Sequence, residues 1–387
     1  MKRELKLVIL LALFVPTNLF AQVSESSKTH KAQVTFAYPV GSGGMGSMEY
    51  SNNFSFNILY GLNGGVDGFE LGSILNYNKG SVKGFQLSGV SNINTGSSNG
   101  FLLSGVSNIC HEQTNGLLIT GVLNYSGQNA KGFQLAGVSN INAGYTDGFL
   151  LSGVSNICMD STSGVFISGV LNYSAKNAKG FQLATTNIAV SEYKGFQLGV
   201  FNYAKKLQGF QLGVINYTNN AEGGIPIGIL SIVRNGHYEF EFSGGEVLFS
   251  NLNYKMGVER LYTVFKIGYS SYKSNPVYSY GIGLGGNIPL SEKQKVNIDL
   301  SSNNIVYYNT WDTDLNLLCK ADFNYKYSLS DNLSLLVGPS LNVYVTREKV
   351  ESEYGTLNIP YTIYTKEWMT TKLFMWAGIN VGLSLKL

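Results

Sequence analysis

The chain has little charge, cysteine, histidine or proline, and each shortage excludes something. Charged residues make up 13% of its 387 positions, about half the share usual in soluble domains. The formal net charge is +3 with no basic cluster, so no nucleic-acid partner is implied. Three cysteines are too few for a disulfide framework. The three histidines, His30, His111 and His237, are scattered. None has metal-ligand spacing with another, so no metal site and no Ser-His-Asp assembly is read from them. Beyond the N-terminus no stretch approaches the roughly eighteen apolar residues of a membrane helix. Helical periodicity is missing as well. Any membrane crossing must therefore be made by strands.

The first twenty-one residues read as a secretory signal peptide. Lys2, Arg3 and Lys6 form a basic start, Leu7 to Phe14 an apolar run too short to span a bilayer, and Ala21 a small residue before the expected cut. The first cysteine is Cys110, so no lipid anchor is expected behind that cut. About 366 residues remain, enough for two domains or one large β structure.

What the chain does have is glycine (46), tyrosine (25) and phenylalanine (21), arranged in a repeat. The phrase Gly-Phe-Gln-Leu-Ser-Gly-Val-Ser-Asn opens at Gly68, Gly84, Gly100, Gly116, Gly132, Gly148, Gly164 and Gly180, sixteen residues apart, and then at Gly195 and Gly209. Such a period marks an array of one small unit that cannot bury its apolar residues alone. Residues 84–131 and 132–179 match at 34 of 48 positions, so a block of three repeats has been duplicated. Three antiparallel strands would reverse the direction of the chain, whereas a parallel stack has no such parity. The later units drop one residue near the Ser-Gly step, as in Gly195-Phe-Gln-Leu-Gly-Val-Phe-Asn202. In a flat strand that deletion would flip every following side chain, so this step reads as a corner between two short strands.

On this reading the Phe, Leu and Val of each unit turn inward, and the recurring Asn (Asn76, Asn92, Asn108, Asn124, Asn140, Asn156, Asn172, Asn202, Asn216) suits a turn or a stacked amide ladder. The polar residues between one Asn and the next Gly form outward loops. Cys110 and Cys158 share one slot three layers apart, about 14 Å at roughly 4.8 Å per layer, too far to pair. The alternative is that the units are antiparallel strands of a barrel wall. Gly84 to Ile93 is the right length, Phe85 with Ile93, Tyr125 or Tyr173 would supply two girdles, and only six charges fall in 84–179.

Region 225–387 has longer period-two segments: Val247–Met256, Leu261–Tyr272, Tyr278–Pro289, Val296–Tyr308, Leu315–Ser328, Leu333–Thr346 and Lys372–Leu387. Tight polar turns (291–294, 329–332) alternate with longer loops (309–314, 347–367), the pattern of an outer-membrane β-barrel. The fold class expected is thus all-β, a 16-residue repeat array of β-solenoid type followed by an antiparallel barrel. The divisions are a signal peptide (1–21), an N-terminal β segment (22–67), the array (68–224) and the barrel region (225–387).

Apparent chemical motifs lack the context they need. Gly96-Ser-Ser-Asn-Gly100 has nucleophile-elbow spacing but lies in a repeat loop. Gly41 to Gly46 and Gly281 to Gly286 fit the dinucleotide fingerprint but open no helix. Asp312 and Asp314, flanked by Asn309 and Asn316, could face a calcium ion in a loop. No catalytic, cofactor-binding or metal residue is assigned, and no cofactor is expected.

The runs Gly195-Phe-Gln-Leu-Gly-Val-Phe-Asn-Tyr203, Gly209-Phe-Gln-Leu-Gly-Val-Ile-Asn-Tyr217 and Gly228-Ile-Leu-Ser-Ile-Val-Arg-Asn-Gly236, with the opening Ser51 to Gly65, resemble a surface-repeat family of Gram-negative outer-membrane proteins of the Bacteroidota and spirochaete type. The resemblance covers most of the mature chain. It implies export to the outer membrane or cell surface, carries no catalytic residues and defines no activity. The function expected is a non-enzymatic outer-membrane protein whose barrel carries an array for structure or binding. Its partners would be membrane lipid and an unidentified surface ligand or protein. The alternative is a porin-like channel.

Overall fold

The computed structural model describes residues 28–308 and 315–387. The expected signal peptide and the Asp312–Asp314 loop lie outside them. The described chain forms two bodies, a parallel β-solenoid of about eleven turns and a closed eight-stranded antiparallel barrel.

Each sixteen-residue coil supplies a seven-residue strand such as Val82–Ser88 and a four-residue strand such as Ser91–Asn94. Both pair in parallel with their copies in the next coil. Gly84 faces Gly100 and Asn92 faces Asn108, so identical positions stack. The barrel-wall alternative for the repeats is overturned by this pairing, because antiparallel neighbours could not bring every Gly onto its own copy. The deleted residue falls at the corner as expected, since Gly180 still pairs with Gly195 and Asn172 with Asn187. The parallel sheet begins at Lys28 and ends at Val233, so strands beyond both expected limits of the array belong to it.

The opening glycine of the phrase is a second bend. Its φ is positive in every unit, from +112° at Gly132 to +159° at Gly209, a region that side chains with a Cβ avoid. A Cβ on Gly132 would stand 2.2 Å from the carbonyl oxygen of Gly116 in the coil below. This bend brings successive backbones too close for any other residue.

The direction of the side chains corrects the sequence reading. Gln86, Asn92 and Asn94 are fully buried, while Phe101 is 54% and Val90 40% exposed. The coil is apolar outside, and its interior is built on amides, with Leu102, Leu118, Leu150 and Phe166 taking the Gln slot in four coils. Period-two alternation separates the two sets but does not say which set faces in. The amides win the interior because they satisfy one another. From Asn57 to Asn216, each Asn Nδ2 donates to the Oδ1 of the next Asn at 2.9–3.0 Å. From Asn76 onward the same amide also reaches a backbone carbonyl, as Asn92 reaches that of Leu103 at 2.8 Å. The Asn lies within a strand and not at a turn. Asn57 and Asn187, unremarked in the sequence, belong to the same column. Outside, half-buried rings stack in turn, with centroids 4.9 Å apart for Phe69 and Phe85 and 5.2 Å for Phe133 and Phe149.

The barrel strands are His237–Gly245, Ser250–Val258, Leu261–Tyr272, Asn275–Pro289, Gln294–Tyr307, Asn316–Ser328, Leu333–Thr346 and Thr371–Lys386. The first and last pair to close the ring. Connections at the end holding the C-terminus are short, at 259–260, 290–293 and 329–332. The opposite end carries the long segment 347–370. From it Leu357 packs with Val247, Leu248, Tyr344 and Trp376 in an apolar cluster inside that end of the barrel. The solenoid joins at the short-turn end, through residues 234–236.

Candidate functional site

The residues singled out for chemistry do not assemble. His30 stacks on Tyr50 at 3.8 Å between centroids, at the far end of the solenoid. His111 sits at a coil corner. His237 is buried at the base of the barrel, 3.6 Å from Glu239. Among the described residues no group of three or more His, Cys, Asp or Glu could hold a metal ion. Ser98, the centre of the elbow-like motif, is buried in the coil and accepts a bond from Asn94. Gly281 to Gly286 lies mid-strand, and Gly41 to Gly46 runs into a short 3₁₀ turn. Cys110 and Cys158 are free and buried. Burial pushes their thiols up to about 11 and about 12, so neither is a nucleophile near neutral pH.

Three features show what the arrangement can do. The first is the barrel lumen, which is filled with ion pairs. Lys255 Nζ lies 2.6 Å from Glu241 and 2.7 Å from Asp299, and Lys266 lies 2.6 Å from Asp322. Lys326 reaches Glu239 and Glu241, and Lys320 stands 3.5 Å from Asp322. An eight-stranded barrel has room for side chains and little else, and the pocket bounded by Glu241, Lys266, Lys320 and Asp322 has about 10 Å³ of free space. Outside, the wall is aliphatic at mid-height, with Ile267, Ile282, Leu300 and Ile379 exposed. Exposed Tyr269 and Tyr278 stand toward the long-loop end and Tyr325 and Tyr327 toward the other. The barrel thus has a polar lumen, an apolar outer band at mid-height and tyrosines on both sides of that band.

No protein-family model and no curated protein matches the chain. It is similar to a solved structure from "De novo design of transmembrane beta-barrels", at 13% identity and a TM-score of 0.24, over 39% of this chain and 96% of that one.

The second feature is a buried carboxylate in the solenoid. Glu70 occupies the slot that holds glutamine in other coils, as at Gln86 and Gln134. Four amides converge on it: Asn57 at 3.0 Å, Asn63 at 2.6 Å, Asn78 at 2.8 Å and Gln86 at 2.9 Å. Burial without a cation pushes its carboxyl up to about 7, against the pull of those bonds. The sequence signal for it is the one charged residue in a slot that otherwise holds Gln, Leu or Phe.

The third is the junction of the two bodies. Thr263, near the short-turn end of its strand, donates from Oγ1 to the carbonyl of Gly228 in the last coil at 2.6 Å. Above this contact the two bodies diverge around a crevice of about 480 Å³. One side is Ile227, Leu212 and Leu198 from successive coils, and the other is Leu284 and Ile282 of the barrel wall.

Proposed function

We propose that this is a non-enzymatic outer-membrane protein in which the barrel is an anchor and the solenoid is the part that does the work of binding or scaffolding. The observation that carries this is the barrel itself. Its wall offers lipid an apolar band, and its lumen is packed with paired charges. A conducting pore needs a wet, continuous lumen, and the ion pairs that Lys255, Lys266 and Lys326 make across this one argue for an anchor over a channel. The repeated Gly, Phe, Gln and Asn are scaffold. Variation between coils is concentrated in the corners after Asn, such as Thr95 to Ser97 and His111 to Gln113, and the exposed side chains there are the ones available to a protein or glycan partner.

The test is membrane extraction together with bilayer recording. The full chain is expected to stay with membranes through carbonate and urea washes and to migrate as a compact species on unheated gels. Release into the soluble fraction would overturn the anchor. In planar bilayers the purified protein is expected to give no conductance steps; discrete steps would overturn the plugged barrel in favour of a channel.

A further inference from the structure

A solenoid that is apolar outside should be insoluble, unless the apolar surface is confined and covered. It is confined. In each unit the outward side chains from the residue after the opening Gly to the Ile or Tyr eight or nine residues after it are mostly Phe, Leu, Val, Ile and Tyr, with Ser and the pair Thr185 and Thr186 as the polar exceptions. From Gly84 to Tyr217 no charged residue falls within these ten-residue stretches. Every charge in the span, including Lys131, Asp147, Asp160, Lys176 and Lys179, lies in the remaining part of the coil. Stacked in register, the units make a rod about 50 Å long at roughly 4.8 Å per turn, with one apolar side and one charged side. This is the pattern of an amphipathic helix that lies in a membrane interface, built here from strands.

The junction shows what covers the apolar side. Leu198, Leu212 and Ile227 run along the rod, and Leu284 and Ile282 run up the barrel wall, with Thr263 at the vertex. The apolar side of the rod and the apolar band of the barrel are one continuous surface with a bend at the short-turn end. The tyrosines at the border of the rod's apolar side, Tyr125, Tyr173, Tyr203 and Tyr217, are half-buried and sit where an interface favours amphipathic rings. We infer that the rod lies flat along the leaflet at the short-turn end of the barrel. Its Phe, Leu and Val columns enter the acyl region, and its charged corners face water. This rests on the membrane-anchor reading of the barrel. In outer-membrane barrels the short turns are periplasmic, so the covered leaflet is the inner one, and the charged face looks into the periplasm.

The experiment is quenching of tryptophan by brominated phospholipid, with the full chain in vesicles. Three single variants place a new ring on the apolar corner (Val138→Trp), on the charged side (Gln128→Trp) and on the barrel band (Leu300→Trp). The native tryptophan signal is subtracted. Val138→Trp is expected to be quenched at least half as strongly as Leu300→Trp and several-fold more than Gln128→Trp. If Leu300→Trp is quenched while Val138→Trp behaves like Gln128→Trp, the rod stands clear of lipid and the inference falls, although the anchor survives. The same result accompanied by cross-linked dimers through the apolar side would assign that side to a second copy, which also overturns it. If Leu300→Trp is itself unquenched, the anchor reading fails first.

Discussion

The solenoid and the barrel solve one problem with different interiors. Both turn apolar side chains outward and polar ones inward. The barrel fills its lumen with acids and bases, as in Lys255 between Glu241 and Asp299. The solenoid fills its coil with neutral amides. The difference follows from repetition. In a parallel in-register stack every residue meets its own copy one layer away. A repeated inward carboxylate would face another at about 5 Å, a repulsion of roughly 3 kcal/mol per step even at an effective dielectric of 20. An amide is its own partner, donor to acceptor. Antiparallel strands of unrelated sequence carry no such constraint, so the barrel can place Lys266 against Asp322, 56 residues away.

The largest test of this contrast is in the barrel. Lys255→Met keeps the volume but leaves Asp299 buried without its cation and Glu241 with only Lys326, 3.4 Å away. Breaking a buried pair from one side costs about 3–5 kcal/mol. Urea denaturation followed by tryptophan fluorescence reads this directly, because Trp311, Trp368 and Trp376 all lie in the barrel region. A loss well under 1 kcal/mol would mean that the lumen charges are solvated and the two interiors are not different in kind.

Glu70 is the exception that sharpens the rule. It stands near the start of the array, where its register neighbours above and below are Ser55 and Gln86, not a second carboxylate. With a carboxyl near 7 in the folded coil against about 4.5 in the unfolded chain, the folded state holds its proton more tightly. Its stability is therefore fully present below about pH 4.5, falls as pH rises, and reaches its lower plateau above about 7. The span is on the order of 3 kcal/mol for a shift of this size. Glu70→Gln is expected to flatten the dependence. Melting of both proteins by circular dichroism between pH 4.5 and 8 measures it, and equal slopes would remove Glu70 as the cause.

Much of this was legible in the sequence, and the part that was not has a definite cause. The sixteen-residue step, the odd-numbered block duplication and the corner deletion specify a parallel coil, because each depends only on how the chain is counted. The seven long C-terminal segments specify a barrel but leave out its first strand, His237–Gly245, whose Glu239 and Glu241 look like surface charges until Lys255 and Lys326 arrive from elsewhere. The inward direction of Gln86 and Asn92 was misread for a related reason. The usual expectation that apolar residues are inside holds for a body in water, and the alternation does not name the solvent. Where Leu102 and Leu150 replace Gln in the inward slot, Cys110 and Cys158 replace the partner Asn of the neighbouring strand. Where Gln86 and Gln134 remain, they bond Asn94 and Asn142. That paired exchange marks the slot as interior and was available from the repeat alone.

The smallest effect tests whether the amide column acts as a unit. Asn140 accepts from Asn124 at 2.9 Å, and its own amide reaches both Asn156 at 2.9 Å and the carbonyl of Leu151 at 3.0 Å. Asn140→Ala removes all three bonds and leaves Asn156 without its donor, which costs about 1–3 kcal/mol. Asn216, the last of the column, accepts from Asn202 and donates to the carbonyl of Ile227, so Asn216→Ala strands no amide beyond it. If hydrogen bonds along the column polarise one another, the interior change costs more than the terminal one, by more than the single extra bond would add. Chemical denaturation followed by circular dichroism, with the tryptophan signal held as the barrel's internal reference, compares the two variants. A difference no larger than that one extra bond would make the column a row of independent bonds. The solenoid's interior would then be a set of local solutions, one per coil, in contrast to the single shared network of the barrel.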